Sequence, residues 1–133
     1  EENYAWLRKQ VKLALVGTAP LSLELKNKFE GLVGITVHEN YALAETLFIT
    51  THAPGEKFKP GSVGLPINEM RVDIVDTEGK PLSSGQVGEI AVTTPHGIDS
   101  YEGDPEQTAL LLRSGRYFTG DLGELDAEGY LYI

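Results

Sequence analysis

With 133 residues, 41% hydrophobic and 23% charged, the chain has the composition of one ordinary soluble domain, or of two small pieces sharing a core. Its formal net charge of −9, with basic residues scattered from Arg8 to Arg116, argues against a nucleic-acid backbone or an anionic membrane surface as partner. The absence of cysteine excludes disulfides and thiolate metal sites, which suits a reducing, cytoplasmic setting, and no apolar run is long enough for a membrane span.

Two composition zones follow one another: residues 1–60 read as a β-α-β portion and residues 61–133 as an antiparallel β subdomain. In the first, Asn3 to Gln10 is a short helix leading into an apolar strand, Val11 to Val16, which Gly17-Thr18-Ala19-Pro20 breaks. Ser22 is a good N-cap for a helix with Leu21, Leu25 and Phe29 on one face, and Gly31 is placed to end it. Ile35 to His38 is a second strand, parallel to the first if the crossover is the usual right-handed one.

In the second zone, Arg71 to Asp76 alternates with the period of a half-buried strand, Thr77 to Pro81 turns the chain, and Val87 to Val92 is the partner. Asp104 caps a helix with Pro105 at its first position and Gln107 at its third, and Ala109 to Leu112 would fill its buried side. A last hairpin pairs Gly123 to Leu125 with Tyr130 to Ile133 around the turn Asp126 to Gly129. The expected class is α+β: a partial β-α-β unit with a parallel sheet, then a small, mostly antiparallel barrel or sandwich.

Three constellations could carry chemistry. In Tyr117-Phe118-Thr119-Gly120-Asp121, the carboxylate of Asp121 at a strand end either closes a turn or accepts hydrogen bonds from two adjacent ribose hydroxyls. Glu39 to Thr46 directly follows the second strand, where ligands of open α/β sheets bind. There Tyr41 could stack on a base and Glu45 could hold Mg²⁺, or Tyr41 is a core aromatic and Glu45 a solvated charge. The turn Gly17 to Leu21 either lets a flat ring lie on the backbone or is an unadorned connection. His38, His52 and His96 have no ligand-like spacing, no Gly-x-Ser-x-Gly elbow occurs, and Leu82-Ser83-Ser84-Gly85 reads as a hairpin turn rather than an anion nest.

In this order the segments resemble the adenylate-forming superfamily, and within it the fatty-acyl-CoA synthetases. Gly17-Thr18-Ala19-Pro20-Leu21 resembles the family's Gly-Gly-Ala-Pro-Leu turn, and Tyr41-Ala42-Leu43-Ala44-Glu45-Thr46 its Tyr-Gly-x-Thr-Glu motif. Lys59 to Pro66 and Gly85 to Ile90 resemble its connecting signatures. Tyr101 with Pro105 to Thr108 resembles its Tyr-x-x-x-Pro-Glu-x-Thr helix start, and Tyr117 to Ile133 its ribose-binding segment. The resemblance covers nearly the whole chain.

It implies ATP or AMP as nucleotide, with Tyr41 and Ala42 at adenine, and Gly17, Thr18 and Ala19 lining base and acyl pocket. Asp121 would hold the ribose, and Glu45 would serve both the catalytic step and the metal, Mg²⁺. The implied reaction joins a carboxylic acid, fatty in this branch, to ATP and passes the acyl group to coenzyme A. Ala42 and Ala44 depart from the usual Gly and Thr, the second removing a hydroxyl that would contact phosphate.

The family's phosphate loop would precede Glu1, and its hinge and lysine-bearing C-terminal domain would follow Ile133. No lysine occurs after Lys80. The reading is therefore a central fragment that lacks the N- and C-terminal portions of its parent enzyme and is inactive alone. Its exposed strand edges would be open to pairing in a homo-oligomer. Two rival readings are a non-catalytic binding module of the same fold and a piece of an aryl- or amino-acid-activating domain.

Overall fold

The computed structural model describes residues 4–53, 55 and 57–133; Glu1 and Asn3, which entered the sequence reading, lie outside these. The chain folds as a mixed α+β structure. Helix α1 (Ala5–Gln10) leads into strand β1 (Ala14–Val16), which is shorter than the apolar run from Val11 predicts. Helix α2 (Leu23–Val33) then crosses to strand β2 (Val37–Leu43). The first three residues of β2 pair with β1 in parallel, Ala14 against Val37 through Val16 against Glu39.

Helix α2 starts as its sequence predicts: the Leu25 amide donates to Ser22 Oγ at 3.2 Å. Its end differs. Gly31 stays inside the helix, and Gly34 terminates it in the left-handed conformation (φ 72°), its N–H donating to the Glu30 carbonyl at 2.7 Å. Only glycine suits this position twice over, since a Cβ would also lie 2.6 Å from Arg8 Nε, the group that donates to the Val33 carbonyl.

The apolar face of α2 is a second correction. Leu25 and Phe29 are exposed, and the buried members are Val33 and, unexpectedly, Lys26. With β1 and Val37 this face lines an open apolar cleft of about 330 Å³. Lys26 tolerates burial because its Nζ donates to Glu39 Oε1 at 2.9 Å and stands 3.8 Å from the Phe58 ring centre.

Strand β2 continues beyond the end of β1, past the expected stop at His38, and exchanges its parallel partner for an antiparallel one, β3 (Leu47–Thr51). Strand β4 (Leu65–Pro66) completes the first sheet, in the order β1-β2-β3-β4. The second sheet is antiparallel throughout: β5 (Arg71–Val75), β6 (Gly88–Thr93), β7 (Leu112–Arg113) and β8 (Arg116–Leu125) in the order β5-β6-β8-β7, with β9 (Leu131–Tyr132) on β8.

Helix α3 (Pro105–Leu111) precedes β7, with Asp104 Oδ1 accepting from the Gln107 amide at 2.9 Å as the capping pattern predicts. Only part of its predicted buried side is realised: Leu111 and Leu112 pack on the core, whereas Ala109 and Leu110 face outward. The main cluster, Ile49, Val72, Ile74, Ile90, Val92, Tyr117 and Leu131, takes Ile49 from the first sheet and the rest from the second sheet and its hairpin. Residues 62–64 tie the sheets together, as Val63 N donates to the Leu131 carbonyl and Leu131 N to the Gly64 carbonyl, at 2.9 and 3.0 Å.

Candidate functional site

Two irregularities in the ladders aim the site's side chains. Between Tyr41 and Ala42 the β2–β3 register slips by one, leaving Ile49 as the extra residue; that residue is fully buried in the core. Between Glu89 and Ala91 the β6–β8 register slips by two, so Thr119, Gly120 and Asp121 lie opposite Ile90 alone. Asp121 is thus neither at a strand end nor in a closing turn. It projects from a bulge within a ten-residue strand, and left-handed Gly120 (φ 76°) makes the bend. Thr119 Oγ1 donates to the Ile90 carbonyl at 2.9 Å and accepts from Asp121 N at 3.1 Å, while Gly120 N donates to Glu89 Oε1 at 3.1 Å.

The bulges bring Tyr41 and Asp121 together across 80 residues of sequence, the Tyr41 hydroxyl donating to Asp121 Oδ2 at 2.5 Å. Both line a cavity of about 480 Å³ with Thr18, Ala19 and Ala42, so five of the seven site candidates border one cavity. Gly17 and Glu45 are not among its lining residues. Gly17 sits behind Asn40, where a Cβ would approach Asn40 Oδ1 to 2.5 Å; that amide in turn donates to the Val16 carbonyl at 2.8 Å. Thr18 adopts φ 76°, which is rare for a β-branched residue, at the position where the resembled turn has glycine.

Glu45 lies in the turn between β2 and β3, beyond the end of the strand that pairs in parallel with β1. Its Oε1 accepts from the Tyr101 hydroxyl at 2.6 Å, and that bond to a carboxylate raises the Tyr101 phenol's pKa, with burial adding to it. Tyr101, Asn40 and Thr119 are site residues to which the sequence assigned no such chemistry. Tyr101 carried a signal as part of a helix-start motif, whereas Asn40 and Thr119 lay inside two of the constellations without a role of their own. Among the described residues the charged side chains lining the cavity are Glu39 and Asp121, with no lysine or arginine.

Burial, the hydrogen bond to Asp121 and the nearby negative charges of Asp121 and Glu45 all push the Tyr41 phenol above the ordinary tyrosine value, outweighing an opposing bond from Thr119. Because its folded-state pKa is raised, Tyr41 contributes stability that is complete below the unfolded value near 10 and is lost as pH rises through the folded value. Phenolate absorbance of the chain minus that of Tyr41→Phe is expected to show an ionisation well above the usual range. Asp121→Asn should move it downward, and identical titrations in the two backgrounds would dismiss the coupling.

The model of the AMP-binding enzyme family matches residues 1–101. The chain belongs to the AMP-binding enzyme family. It is 40% identical over 126 residues to a long-chain-fatty-acid–CoA ligase of Bacillus subtilis (strain 168), covering 92% of this chain and 22% of that protein. It is 34% identical over 130 residues to a mitochondrial acyl-coenzyme A synthetase of Homo sapiens, covering 94% and 22%. Among solved structures it is similar to ATP-bound MatB from Rhodopseudomonas palustris, with a TM-score of 0.85 and 32% identity over 92% of this chain and 25% of MatB. The chain therefore spans about a fifth of the length of these curated relatives. Among its described residues no helix is long and apolar enough to cross a membrane, and no cluster of three metal-ligating side chains occurs.

Proposed function

We propose that this chain forms the adenine- and ribose-recognising wall of the ATP site in an acid–thiol ligase, which activates a carboxylic acid as its adenylate and transfers it to coenzyme A. The observation that carries this reading is the Tyr41–Asp121 contact at the edge of the cavity that Thr18, Ala19 and Ala42 also line. It sets an aromatic ring beside a carboxylate, the pair needed to hold a base and its sugar. Segment 1–60 supplies Tyr41 to stack on adenine and Gly17 to Ala19 to shape the base and acyl edge. Segment 61–133 supplies Asp121 for the ribose hydroxyls. The apolar cavity beside α2 and the likeness to a long-chain ligase favour a fatty acid as the acyl donor.

Glu45 suits Mg²⁺ as a single hard oxygen ligand. Mg²⁺ is commonly held by one or two carboxylates together with substrate phosphates, rather than by an all-protein cage. Bound there, the ion would supply charge neutralisation at the phosphates. The cavity wall brings no cation of its own, so these residues recognise the nucleoside and leave triphosphate charge to other groups.

ATP and adenosine are both expected to shift the backbone amides of Thr18, Tyr41 and Asp121 in a titration of the 133-residue chain. Pyrophosphate exchange with fatty acids is expected to stay at background. Unperturbed amides would refute the nucleotide site, and turnover by the chain alone would refute the division of labour. The same titration discriminates against a non-catalytic module, which would leave these amides unmoved.

A further inference from the structure

The segment between β6 and α3 grips Glu45 twice. Ile98 N donates to the Glu45 carbonyl at 2.9 Å, and the Tyr101 hydroxyl donates to Glu45 Oε1 at 2.6 Å. The segment is also fastened independently of that hydroxyl. Tyr117 Oη donates to the Ile98 carbonyl at 3.0 Å, and Tyr101 N donates to Thr108 Oγ1 at 2.9 Å in the first turn of α3. Gly97 allows the close approach, since a Cβ there would meet the Tyr117 hydroxyl at 2.2 Å. Three main-chain anchors already hold the segment in place, so the Tyr101 hydroxyl is not needed to hold it. What it adds is an orientation of the carboxylate.

We propose that Tyr101 is a positioning residue for Glu45: its hydroxyl holds Oε1 so that Oε2 is presented to a phosphate-bound divalent cation. The proposal rests on the reading of Glu45 as the metal ligand. A free glutamate loses side-chain rotamer freedom when it ligates, and a carboxylate already held by a neutral donor has given up part of that freedom on folding. Mg²⁺ demands near-ideal octahedral geometry, which makes the direction of its one protein carboxylate consequential. Ligating carboxylates in metal sites are characteristically hydrogen-bonded by such outer partners. Glu45 is half-buried, and among the described residues Oε2 receives no hydrogen bond, so one carboxylate oxygen is engaged and the other is not.

The test follows Mn²⁺, a paramagnetic substitute for Mg²⁺, in the presence of ATP through broadening of the Ala44, Glu45 and Thr46 amide signals of the chain. Tyr101→Phe should raise the Mn²⁺ concentration for half-broadening on the order of tenfold. Metal-free adenosine binding and the melting temperature should stay close to the parent. Tyr101→Gln, which retains a donor, should recover part of the loss. Glu45→Gln should abolish the local broadening, and adding Tyr101→Phe to it should change nothing further.

If Glu45→Gln leaves the broadening intact, the metal-ligand reading fails and this proposal falls with it. If Glu45→Gln abolishes the broadening but Tyr101→Phe does not shift the midpoint, the metal reading stands and the positioning role is overturned. A lower midpoint in Tyr101→Phe would also overturn it, because the hydroxyl would then be a competitor of the cation. A variant that melts early yet keeps the parental midpoint would assign Tyr101 to structure alone.

Discussion

Asp121→Asn should weaken nucleotide binding by roughly 10- to 150-fold, the range expected when hydrogen bonds to a charged acceptor worth about 1.5–3 kcal/mol are lost. Asparagine is the informative replacement because it keeps the shape and one acceptor oxygen. Alanine would also strand the Tyr41 hydroxyl, which now donates to Asp121 Oδ2, and would mix a stability cost with the binding cost. The decisive comparison is between ATP and an analogue lacking the ribose hydroxyls, measured by calorimetry or amide shifts. The parent should discriminate between them far more strongly than the variant. If the two proteins discriminate equally, Asp121 does not bind the sugar and serves only to hold Tyr41.

Gly64→Ala should be the most damaging single substitution to the fold. Gly64 has φ 93°, and a Cβ there would stand 2.0 Å from the Thr51 carbonyl carbon, 2.1 Å from its oxygen and 2.5 Å from His52 N. All three atoms are backbone, so no rotamer change relieves the clash, and β3 would have to move away. Gly64 also accepts from Leu131 N and donates to Ser62 Oγ, so the displacement would spread to the junction between the sheets.

Left-handed strain and overpacking each cost about 1–3 kcal/mol, and their sum is a large part of the 5–15 kcal/mol that stabilises an ordinary domain. Gly61→Ala is the control. It has φ 80° but nothing within 4 Å of the added Cβ, so only the conformational cost, about 1 kcal/mol or somewhat more, should appear in urea unfolding. Similar losses at both positions would show that the clash at Gly64 is relieved elsewhere.

The residues legible in advance are those whose interactions are local. Ser22 and Asp104 cap helices through bonds to an amide three residues along, a distance within one turn, and composition alone exposes such a cap. The parallel pairing of β1 with β2 follows from a helix of suitable length between two apolar runs. The misplaced end of α2 is not local in this way: Gly31 and Gly34 are equally good stops by sequence, and the one used, Gly34, follows the Val33 carbonyl to which Arg8 donates from a different helix. Leu25 and Phe29 form the expected stripe, but periodicity says only that a face is apolar, not whether another layer covers it.

By itself, then, the sequence determined the α+β class, the helix starts, the AMP-binding likeness and three candidate side chains, Tyr41, Glu45 and Asp121. The tertiary structure decided how two of them meet and what holds the third. Tyr41 and Asp121 are 80 residues apart, and Tyr101 and Glu45 are 56 apart. The contact of Tyr41 with Asp121 goes with a one-residue slip between β2 and β3 and a two-residue slip between β6 and β8, and that of Tyr101 with Glu45 with the docking of the segment between β6 and α3. A bulge leaves almost no local trace, because the residue it displaces is selected by the strand opposite and by the core beneath it. Asp121 therefore looks like a turn residue in one dimension, whereas in three it stands on a bulge with its carboxylate aimed at Tyr41.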